Sequence, residues 1–475
     1  MEERTTANRL NAATRRVEIF GDNVSSDGRV ERLRTRAGFV IYRIGARVLP
    51  FLPGSLYLFA DPTAPPRLTG EETSPLKTRS TQSVEKTDVA LRQAAVETKL
   101  ANVADSNVRS LNAANAEVAL GFAGAPAIRT NPTEYWLIDA GSGSDESNAD
   151  LESAFRTIRE EFEPGFAPEK IRRILLTHSH IDHFGGANEL RRRTGAEVWS
   201  HSFESRVVSS FNEQACVSNV RSFHFLREAG VDEAEIPGIL DGFGFRPGRA
   251  KSTPVAKTLL GGETFGALKT FYLPGHSPGH LAFQLDDVIL TGDLLLSKTL
   301  TQIWPSRLTP RTGVWNYIRS LRTLSRIGER CERAVGRKLV ALPAHEAPIF
   351  DVPNRVRQVV RGMERRNGRL FALLEEAEEP LTTLEIARRM YWSGRPNREF
   401  FAISDVAARL EFLQQLGLIS VANYDEISVA NPALRFRNSF ADAESAENTV
   451  EQVFGVNGAD DEPDSVERDA NLGGD

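Results

Sequence analysis

Short apolar runs recur along the chain, and several of them end at a polar residue. Ile174 to Leu176 is branched and apolar, and the runs Val288–Leu290 and Leu339–Ala341 have the same character. Continuous runs of this kind are typical of strands buried on both faces, and ligand-bearing loops usually leave the ends of such strands. The pattern therefore predicts buried strands whose ends carry chemically active side chains.

The first third of the chain adds three more predicted strands and two polar regions. The strands are expected at Phe39–Leu49, Ser55–Phe59 and Glu134–Gly141. Residues 62–133 are rich in Thr, Ser, Ala, Asn and Pro, a composition that favours a solvated low-complexity insertion. Residues 1–34 are mixed polar, which indicates a loose N-terminal extension with some strand.

The densest cluster of candidate ligands follows the run at 174–176. Residues 178–183 read His-Ser-His-Ile-Asp-His. In an extended loop, side chains 178, 180 and 182 would project to one side. Gly185-Gly186 would let the backbone turn tightly before a helix that begins at Ala187. Imidazoles and a carboxylate crowded on one loop suit a divalent transition metal.

The remaining histidines strengthen this interpretation, because the whole chain has only eight. His276 and His280 lie in a Pro-Gly-His-Ser-Pro-Gly-His segment, and His345 follows a predicted strand. Asp293 likewise ends an apolar run. Each candidate ligand thus follows a predicted strand, whereas His201 and His224 are interpreted as packing or surface residues.

This order of motifs resembles the metallo-β-lactamase superfamily over roughly residues 35–350. The shared motifs are His-x-His-x-Asp-His, Pro-Gly-His, Thr-Gly-Asp and a late His. The resemblance implies an α/β (α+β) fold, an αββα sandwich of two sheets packed face to face with helices outside. It also implies two divalent metal ions, a first held by His178, His180 and His276 and a second by Asp182, His183 and His345, with Asp293 bridging. His280 is expected to contact ligands without being one.

The chain changes character beyond Pro348. An arginine-rich helix, a capping box at Thr382–Glu385, a helix at Asp405–Leu416 and a hairpin of strands 418–421 and 426–429 are predicted. Three helices and a hairpin predict a winged-helix domain over residues 354–430. The same appendage is found in a branch of the superfamily that includes endoribonucleases and polyketide-releasing thioesterases. We expect it to pack on the catalytic domain with its arginines outward; nucleic-acid binding is the alternative.

Charge and composition limit the setting of the protein. Residues 441–475 contain eleven acidic residues and one arginine, a formal charge of −10 and the composition of a disordered acidic tail. Because the chain totals −6, residues 1–440 carry +4. No window approaches a membrane span, the start lacks a signal-peptide core, and Cys216 and Cys331 are isolated, which together favour the cytoplasm.

These observations predict a two-metal-ion hydrolase that uses a metal-bound hydroxide to cleave a thioester or related carboxylic ester. Zinc is the expected metal, with iron or manganese as alternatives. Asp182 and Asp293 are the expected catalytic residues, and Asp182 would orient water or relay a proton. The superfamily's oxygen-reducing members typically carry Glu where this loop has His180, which favours hydrolysis.

The substrate is predicted to be a small acyl compound. Resemblance suggests that residues 199–267 lie over the site, where their phenylalanines would suit an acyl chain and Arg246 and Arg249 an anionic end group. The alternative is a metal-dependent endoribonuclease acting on single-stranded RNA. The mild charge of residues 1–440 and the lack of interleaved basic and aromatic runs argue against it.

Overall fold

A computed structural model of the chain describes residues 24–49, 52–63, 134–243, 247–391, 398–426 and 432–439. The predicted insertion beyond Thr63, the predicted acidic tail and residues 1–23 of the predicted extension lie outside this range. The strands are β1 Val30–Arg34, β2 Val40–Leu49, β3 Leu52–Ala60, β4 Tyr135–Ile138, β5 Ile171–Leu175, β6 Glu197–His201, β7 Lys257–Leu259, β8 Thr264–Phe265, β9 Leu268–Tyr272, β10 Leu281–Leu285, β11 Val288–Gly292, β12 Val340–Pro343, β13 Leu381–Thr382, β14 Ile419–Val421 and β15 Arg435–Asn438. The α-helices are α1 Asp145–Thr157, α2 Ile181–Phe184, α3 Ala187–Thr194, α4 Ser205–Ser209, α5 Phe211–Glu228, α6 Ile236–Phe243, α7 Val314–Val335, α8 Val352–Glu375, α9 Thr383–Tyr391 and α10 Glu399–Gln415.

The first sheet contains β1 to β7 in chain order. Strands β1 to β4 are antiparallel, whereas β4 to β7 run parallel to one another. The edge strand β1 pairs with β2, with Val30 opposite Ile44. Residues 30–34 therefore belong to the sheet, and they form the strand that the predicted extension was expected to include. The apolar residues Val30 and Leu33 are buried on opposite faces of this strand.

The second sheet has the order β12-β11-β10-β9-β8. Within it β11 and β12 are parallel, so that both strands end at the same edge. The amide of Leu281, at the start of β10, donates to the carbonyl of Thr177, just beyond β5, at 2.8 Å. This hydrogen bond joins the two sheets at the edge where the candidate ligands lie.

Buried side chains form three layers, which confirms the predicted αββα sandwich. Successive residues of β4 point to opposite sides, so that Trp136 and Ile138 lie between the sheets, whereas Tyr135 and Leu137 pack under the helices α1 and α3. Because both faces are covered, the strand is apolar at every position. The outer face of the second sheet is covered by α7 and α8.

The C-terminal region contains α8, α9, α10 and a three-stranded sheet of order β13-β15-β14. The predicted capping box is formed, because the Glu385 carboxylate accepts from the Thr382 amide at 2.7 Å and the Thr382 hydroxyl accepts from the Glu385 amide at 3.2 Å. Strand β14 pairs with β15 at Arg435–Asn438, whereas the predicted hairpin strand at 426–429 lies outside the described residues except for Glu426. Residues 427–431 lie outside the described range, and the winged-helix assignment stays a prediction.

The helices of this region are packed on the two-sheet sandwich. Helix α10 begins at Glu399, six residues before the predicted start, because Phe400 and Ile403 are buried in the same apolar cluster as α7 and the second sheet. Helix α8 buries its valines there as well. Its Arg357, Arg365 and Arg369 are exposed as predicted, but Arg355 is buried and its outward placement is wrong. None of the helices in the described ranges has the length and apolarity needed to cross a bilayer.

A buried ion pair links the three C-terminal helices. The Arg409 guanidinium of α10 donates to both carboxylate oxygens of Asp405, at 2.8 and 3.0 Å, and to Asn367 of α8 at 2.9 Å. The hydroxyl of Tyr391, in α9, donates to Asp405 at 2.7 Å. Burial raises the pKa of Asp405, but Arg409 and Arg366 lower it to about 2, so that the carboxylate is ionised at neutral pH.

Removal of one partner should therefore be costly. We expect Arg409→Met to lower the free energy of unfolding by about 3–5 kcal/mol, because it removes the guanidinium that donates to both oxygens of a buried carboxylate. The double variant Asp405→Leu/Arg409→Met should be more stable than Arg409→Met alone. Urea denaturation measures both.

The matched control is the exposed pair between Arg388 and Glu399, at 3.0 Å, which also joins α9 to α10. Arg388→Met should cost at most about 1 kcal/mol. Equal losses for Arg388→Met and Arg409→Met would contradict a special contribution of the buried pair.

Candidate metal centre

The candidate ligands lie at the ends of strands from both sheets. His178–His183 follow β5, and His276 lies in the loop between β9 and β10. Asp293 follows β11 and His345 follows β12. The amide of Ala344 donates to the Gly292 carbonyl at 3.0 Å, which holds the last two loops side by side.

The first loop is extended only as far as His180, whose φ and ψ are −71° and 149°. Helix α2 begins at Ile181, so the prediction that the loop stays extended through Asp182 is wrong. Successive residues on a helix point about 100° apart. Asp182 and His183 can therefore both face the site from one short turn.

Gly185 and Gly186 are needed here for close packing. The predicted turn lies at these two residues, between α2 and α3, but Gly185 has φ −56° and ψ −34°, a conformation open to every residue. A Cβ atom on Gly185 would lie 2.0 Å from the Ser142 carbonyl oxygen, and one on Gly186 would lie 2.2 Å from the Ala140 oxygen. The two glycines let α2 and α3 pack directly against the loop that follows β4.

Three imidazoles from two loops converge. Nδ1 of His180 lies 2.9 Å from Nε2 of His178 and 3.0 Å from Nε2 of His276. All three side chains are buried or nearly so. Their nitrogens surround one point, and this group could hold a metal ion.

A second group lies beside the first. Nε2 of His345 is 3.3 Å from Oδ2 of Asp182, and Nε2 of His183 is 3.6 Å from the same oxygen. Asp293 lies between the two groups, with Oδ2 3.6 Å from His276 Nε2 and 3.5 Å from His183 Nε2. Its Oδ1 is 3.5 Å from His345 Nε2. The structure thus brings together all seven residues that the resemblance selected.

This donor set fits divalent metal ions. Ligands about 2.0–2.2 Å from a tetrahedral zinc ion are separated by roughly 3.3–3.6 Å, and the distances here are 2.9–3.6 Å. Nε2 of His183, Nε2 of His345 and Oδ1 of Asp293 are buried, with no hydrogen-bond partner among the described residues. Nitrogen and oxygen donors without cysteine suit zinc, iron or manganese.

The other ring nitrogen of four histidines is held by a fixed group. Nδ1 of His178 lies 3.0 Å from the Thr177 hydroxyl, and Nδ1 of His183 lies 2.9 Å from Asp139 Oδ2. Nδ1 of His276 lies 2.9 Å from the Gln302 carbonyl, and Nδ1 of His345 lies 2.9 Å from the Pro53 carbonyl. Such contacts fix the tautomer and the direction of the free nitrogen.

Asp139 is a site residue that the sequence analysis missed. Its carboxylate also accepts from the amide and the hydroxyl of Thr177, at 2.8 and 2.9 Å. The residue follows β4 with φ 61°, an unusual backbone conformation for a residue other than glycine. A polar residue at the end of a predicted buried strand was the available signal, the same one that selected Asp293.

His280 contacts the site without entering either group. Its Nε2 accepts from the Asp293 amide at 3.2 Å, and its ring stacks on that of His178 at 5.2 Å. Burial and the neighbouring His276 hold its pKa well below the ordinary value. The neutral ring therefore fixes the backbone that carries Asp293.

The first three imidazoles are uncharged at neutral pH. Burial and the nearby His183 and His180 lower the pKa of His178 well below its ordinary value. Burial and His276 lower the pKa of His180 to about 3, and burial also lowers that of His276. Uncharged imidazoles have the lone pairs that a cation requires.

The second group behaves differently because carboxylates surround its imidazoles. Burial lowers the pKa of His183, but Asp182, Asp293 and Asp139 raise it well above the ordinary value. Burial likewise lowers the pKa of His345, but Asp293 and Asp182 raise it to about 9. Burial raises the pKa of Asp182, while His183 and His345 lower it to about 2. Protonated imidazoles here occupy positions where a cation would be attracted.

The surroundings of the site differ from the sequence prediction. Phe211 and Phe225 are buried in two separate cores, and the side chains of Phe243 and Phe245 lie outside the described residues, as does Arg246. Arg249 lines a cavity of about 540 Å³ beside α1 and α3, and none of the seven candidate ligands lines it. The expectation that Arg249 meets the substrate is therefore not supported.

An aromatic wall that the sequence analysis missed stands beside His180. The ring of Trp304 lies 6.4 Å from that of His180 and 5.8 Å from that of Phe401 in α10. The Gln302 side chain donates to the Phe401 carbonyl at 3.3 Å. The C-terminal region thus contributes to the environment of the first group.

Comparison with known proteins agrees with this geometry. Residues 127–330 match the model of the metallo-beta-lactamase superfamily. Hydroxyacylglutathione hydrolase GloC from Haemophilus influenzae is 31% identical over 124 residues, which cover 26% of this chain and 49% of the relative. Atrochrysone carboxyl ACP thioesterase from Aspergillus fumigatus is 22% identical over 260 residues, covering 53% of this chain and 59% of the relative. The chain thus matches about half the length of these two hydrolases.

Similarity to a solved structure extends further along the chain. A beta-lactamase domain protein from Burkholderia ambifaria covers 88% of this chain and 97% of its own length, with a TM-score of 0.57 and 19% sequence identity. At this identity the similarity concerns the fold.

Asp139 offers a test of how the site is held. We expect Asp139→Asn to weaken zinc binding by about 10–100-fold, because the Thr177 amide and His183 Nδ1 contact different carboxylate oxygens and the NH₂ group of Asn cannot accept. Competition with a coloured chelator measures the dissociation constant.

Asp287→Asn is the matched control. Asp287 is also a buried aspartate, and it accepts a hydrogen bond from the Arg36 amide at 3.0 Å. It lies just before β11, at the opposite end of that strand from the candidate ligand Asp293. Its substitution should leave zinc affinity unchanged. If Asp139→Asn binds zinc as tightly as this control, Asp139 does not orient His183.

Proposed function

We propose that this chain, which contains a metallo-β-lactamase superfamily domain, is a two-metal-ion hydrolase of a thioester or related carboxylic ester. The observation that carries the proposal is the convergence of seven nitrogen and oxygen donors, three of them with buried atoms that have no hydrogen-bond partner among the described residues. His178, His180 and His276 would hold one ion, and Asp182, His183 and His345 the other. Asp293 would contact both.

Divalent ions at these positions would lower the pKa of bound water from 15.7 to about 7 and polarise the bond to be cleaved. The protein's own contribution is orientation. Asp293 is fixed through its amide by His280 and through its carbonyl, which accepts from the Thr301 hydroxyl at 2.8 Å. Asp182 is partly exposed, and its lowered pKa keeps the carboxylate ionised, so that it would accept a proton.

Two features favour an acyl substrate. The matched regions of the two curated relatives belong to proteins named for glutathione and acyl-carrier thioesters. Trp304 and Phe401 form an apolar wall next to His180, which suits an acyl chain better than a phosphodiester. Residues 199–267, which the sequence analysis favoured for this purpose, are not needed for the argument.

One observation is a reason to test the endoribonuclease alternative as well. Arginines recur at helical spacing along one side of α7, and five of them are exposed: Arg319, Arg326, Arg330, Arg333 and Arg337, the last just beyond the helix. Such a stripe could contact phosphates, in which case binding would weaken steeply with salt.

The proposal is tested by comparing kcat/KM for short acyl-CoA and acyl-glutathione thioesters and for single-stranded RNA, with one zinc-loaded preparation. Thioester cleavage should be the faster reaction. Asp293→Ala should reduce bound zinc toward one ion per chain and lower activity by more than the roughly 10–100-fold of an outer-shell change.

Asp287→Asn again serves as the control and should retain full activity. Asp182→Ala should lower kcat with the same substrate. RNA cleavage that disappears in Asp182→Ala, together with negligible thioester turnover, would establish the alternative instead.

A further inference from the structure

A buried carboxylate lies between the two loops that supply the first three imidazoles. Glu204 follows β6 and stands at the start of α4, with only 1% of its surface exposed. One carboxylate oxygen accepts from the Ser277 hydroxyl at 2.7 Å and from the Gly279 amide at 2.6 Å. The other accepts a short hydrogen bond from the Ser179 hydroxyl.

The positions of these three donors give the contact its significance. Ser179 lies between His178 and His180, Ser277 follows His276, and Gly279 precedes His280. A single side chain therefore joins the loop after β5 to the loop between β9 and β10. This link adds to the hydrogen bond from the Leu281 amide to the Thr177 carbonyl, which joins the same two segments of chain beside the imidazoles.

The second loop is packed closely against Glu204. A Cβ atom on Gly279 would lie 2.7 Å from the Glu204 Cγ and 2.6 Å from Nδ1 of His201, so the approach requires glycine. On the other side, the Tyr272 hydroxyl donates to the Pro278 carbonyl at 2.9 Å, and the His201 ring stacks on that of Tyr272 at 4.6 Å. The loop is thus fixed at several backbone positions around His276.

We propose that Glu204 is a positioning residue that sets the metal affinity of the site formed by His178, His180 and His276. The inference rests on the proposed metal-dependent function. The two carboxylate oxygens accept hydrogen bonds from three donors on two loops. Its hydrogen bonds keep the three imidazole nitrogens within about a bond length of a common point before a cation arrives.

The experiment measures zinc affinity of the full-length protein by competition with a coloured chelator. Glu204→Ala should raise the dissociation constant about 10-fold or more, the range seen for outer-shell changes. Glu204→Gln should stay within a few-fold of the wild type, since its carbonyl still accepts and its NH₂ group can donate to Ser179. The visible spectrum of the cobalt-loaded protein should change in Glu204→Ala and be restored in Glu204→Gln.

Glu263→Ala is the matched control for a purely structural effect. Glu263 also accepts three hydrogen bonds, from the amides of Leu260 and Gly261 and the hydroxyl of Thr270, at 2.6, 2.9 and 2.6 Å. These contacts hold the turn before β8 and involve neither metal loop. Its substitution should leave zinc affinity and the cobalt spectrum unchanged.

The outcomes separate this inference from the proposed function. If the wild-type protein binds no zinc, the proposed function fails. If it binds zinc and Glu204→Ala binds equally tightly with an unaltered cobalt spectrum, the inference is wrong while the function stands. If Glu204→Ala does not fold, the double variant Ser179→Ala/Ser277→Ala decides: weaker zinc binding supports the inference, and wild-type affinity overturns it.

Discussion

The candidate metal centre depends on polar atoms that are buried without a protein partner. Nε2 of His183 and His345 and Oδ1 of Asp293 are in this condition within the described part of the chain. Each such group costs about 1–3 kcal/mol. The core between the two sheets must offset that cost, so the fold holds these atoms in positions that no hydrogen bond of their own fixes. A divalent cation would convert the same atoms into ligands, which couples metal binding to the stability of the folded state.

Rigid groups from different parts of the chain give the imidazoles their directions. The Nδ1 contacts of His276 and His345 are backbone carbonyls, at Gln302 and Pro53, which can move only if the chain moves. Glu346 adds a further connection, since its carboxylate accepts from the Thr299 hydroxyl at 2.7 Å and from neighbouring amides. The loops after β11 and β12 are thereby tied together directly beside Asp293 and His345. The geometry of the site is therefore a property of the whole sandwich edge.

The sequence could identify the ligand candidates because each follows a buried strand, and strand ends are local features. It could not identify partners that depend on tertiary contact. The helical start at Ile181 and the carboxylates of Asp139 and Glu204 have no periodic signal, since their roles come from loops that meet in space. The strand β15 was missed for the same reason: its paired residues in β14 lie 15 to 19 positions away in the sequence, so the pairing owes little to local pattern. The phenylalanines of residues 199–267 were a misleading signal for the substrate pocket. Phe211 and Phe225 fill cores, whereas the aromatic wall beside His180 includes Trp304.

The C-terminal region is joined to the site through the helix whose arginines first suggested nucleic acid. Arg355, near the start of α8, donates from Nε to the Leu296 carbonyl at 2.7 Å and from Nη2 to the Thr299 carbonyl at 2.9 Å. Both carbonyls lie in the loop that follows Asp293. The Glu346 carboxylate, beyond β12, accepts hydrogen bonds from the same loop. A buried guanidinium that makes such contacts has its donors committed to protein carbonyls, and it acts as a support for the loop.

Because Gln302 similarly links His276 to Phe401 of α10, two C-terminal helices contact the loops on which candidate ligands depend. These contacts explain why the region packs on the sandwich without any role in binding a polyanion. The exposed arginines of α8 need not have the same role as the buried Arg355.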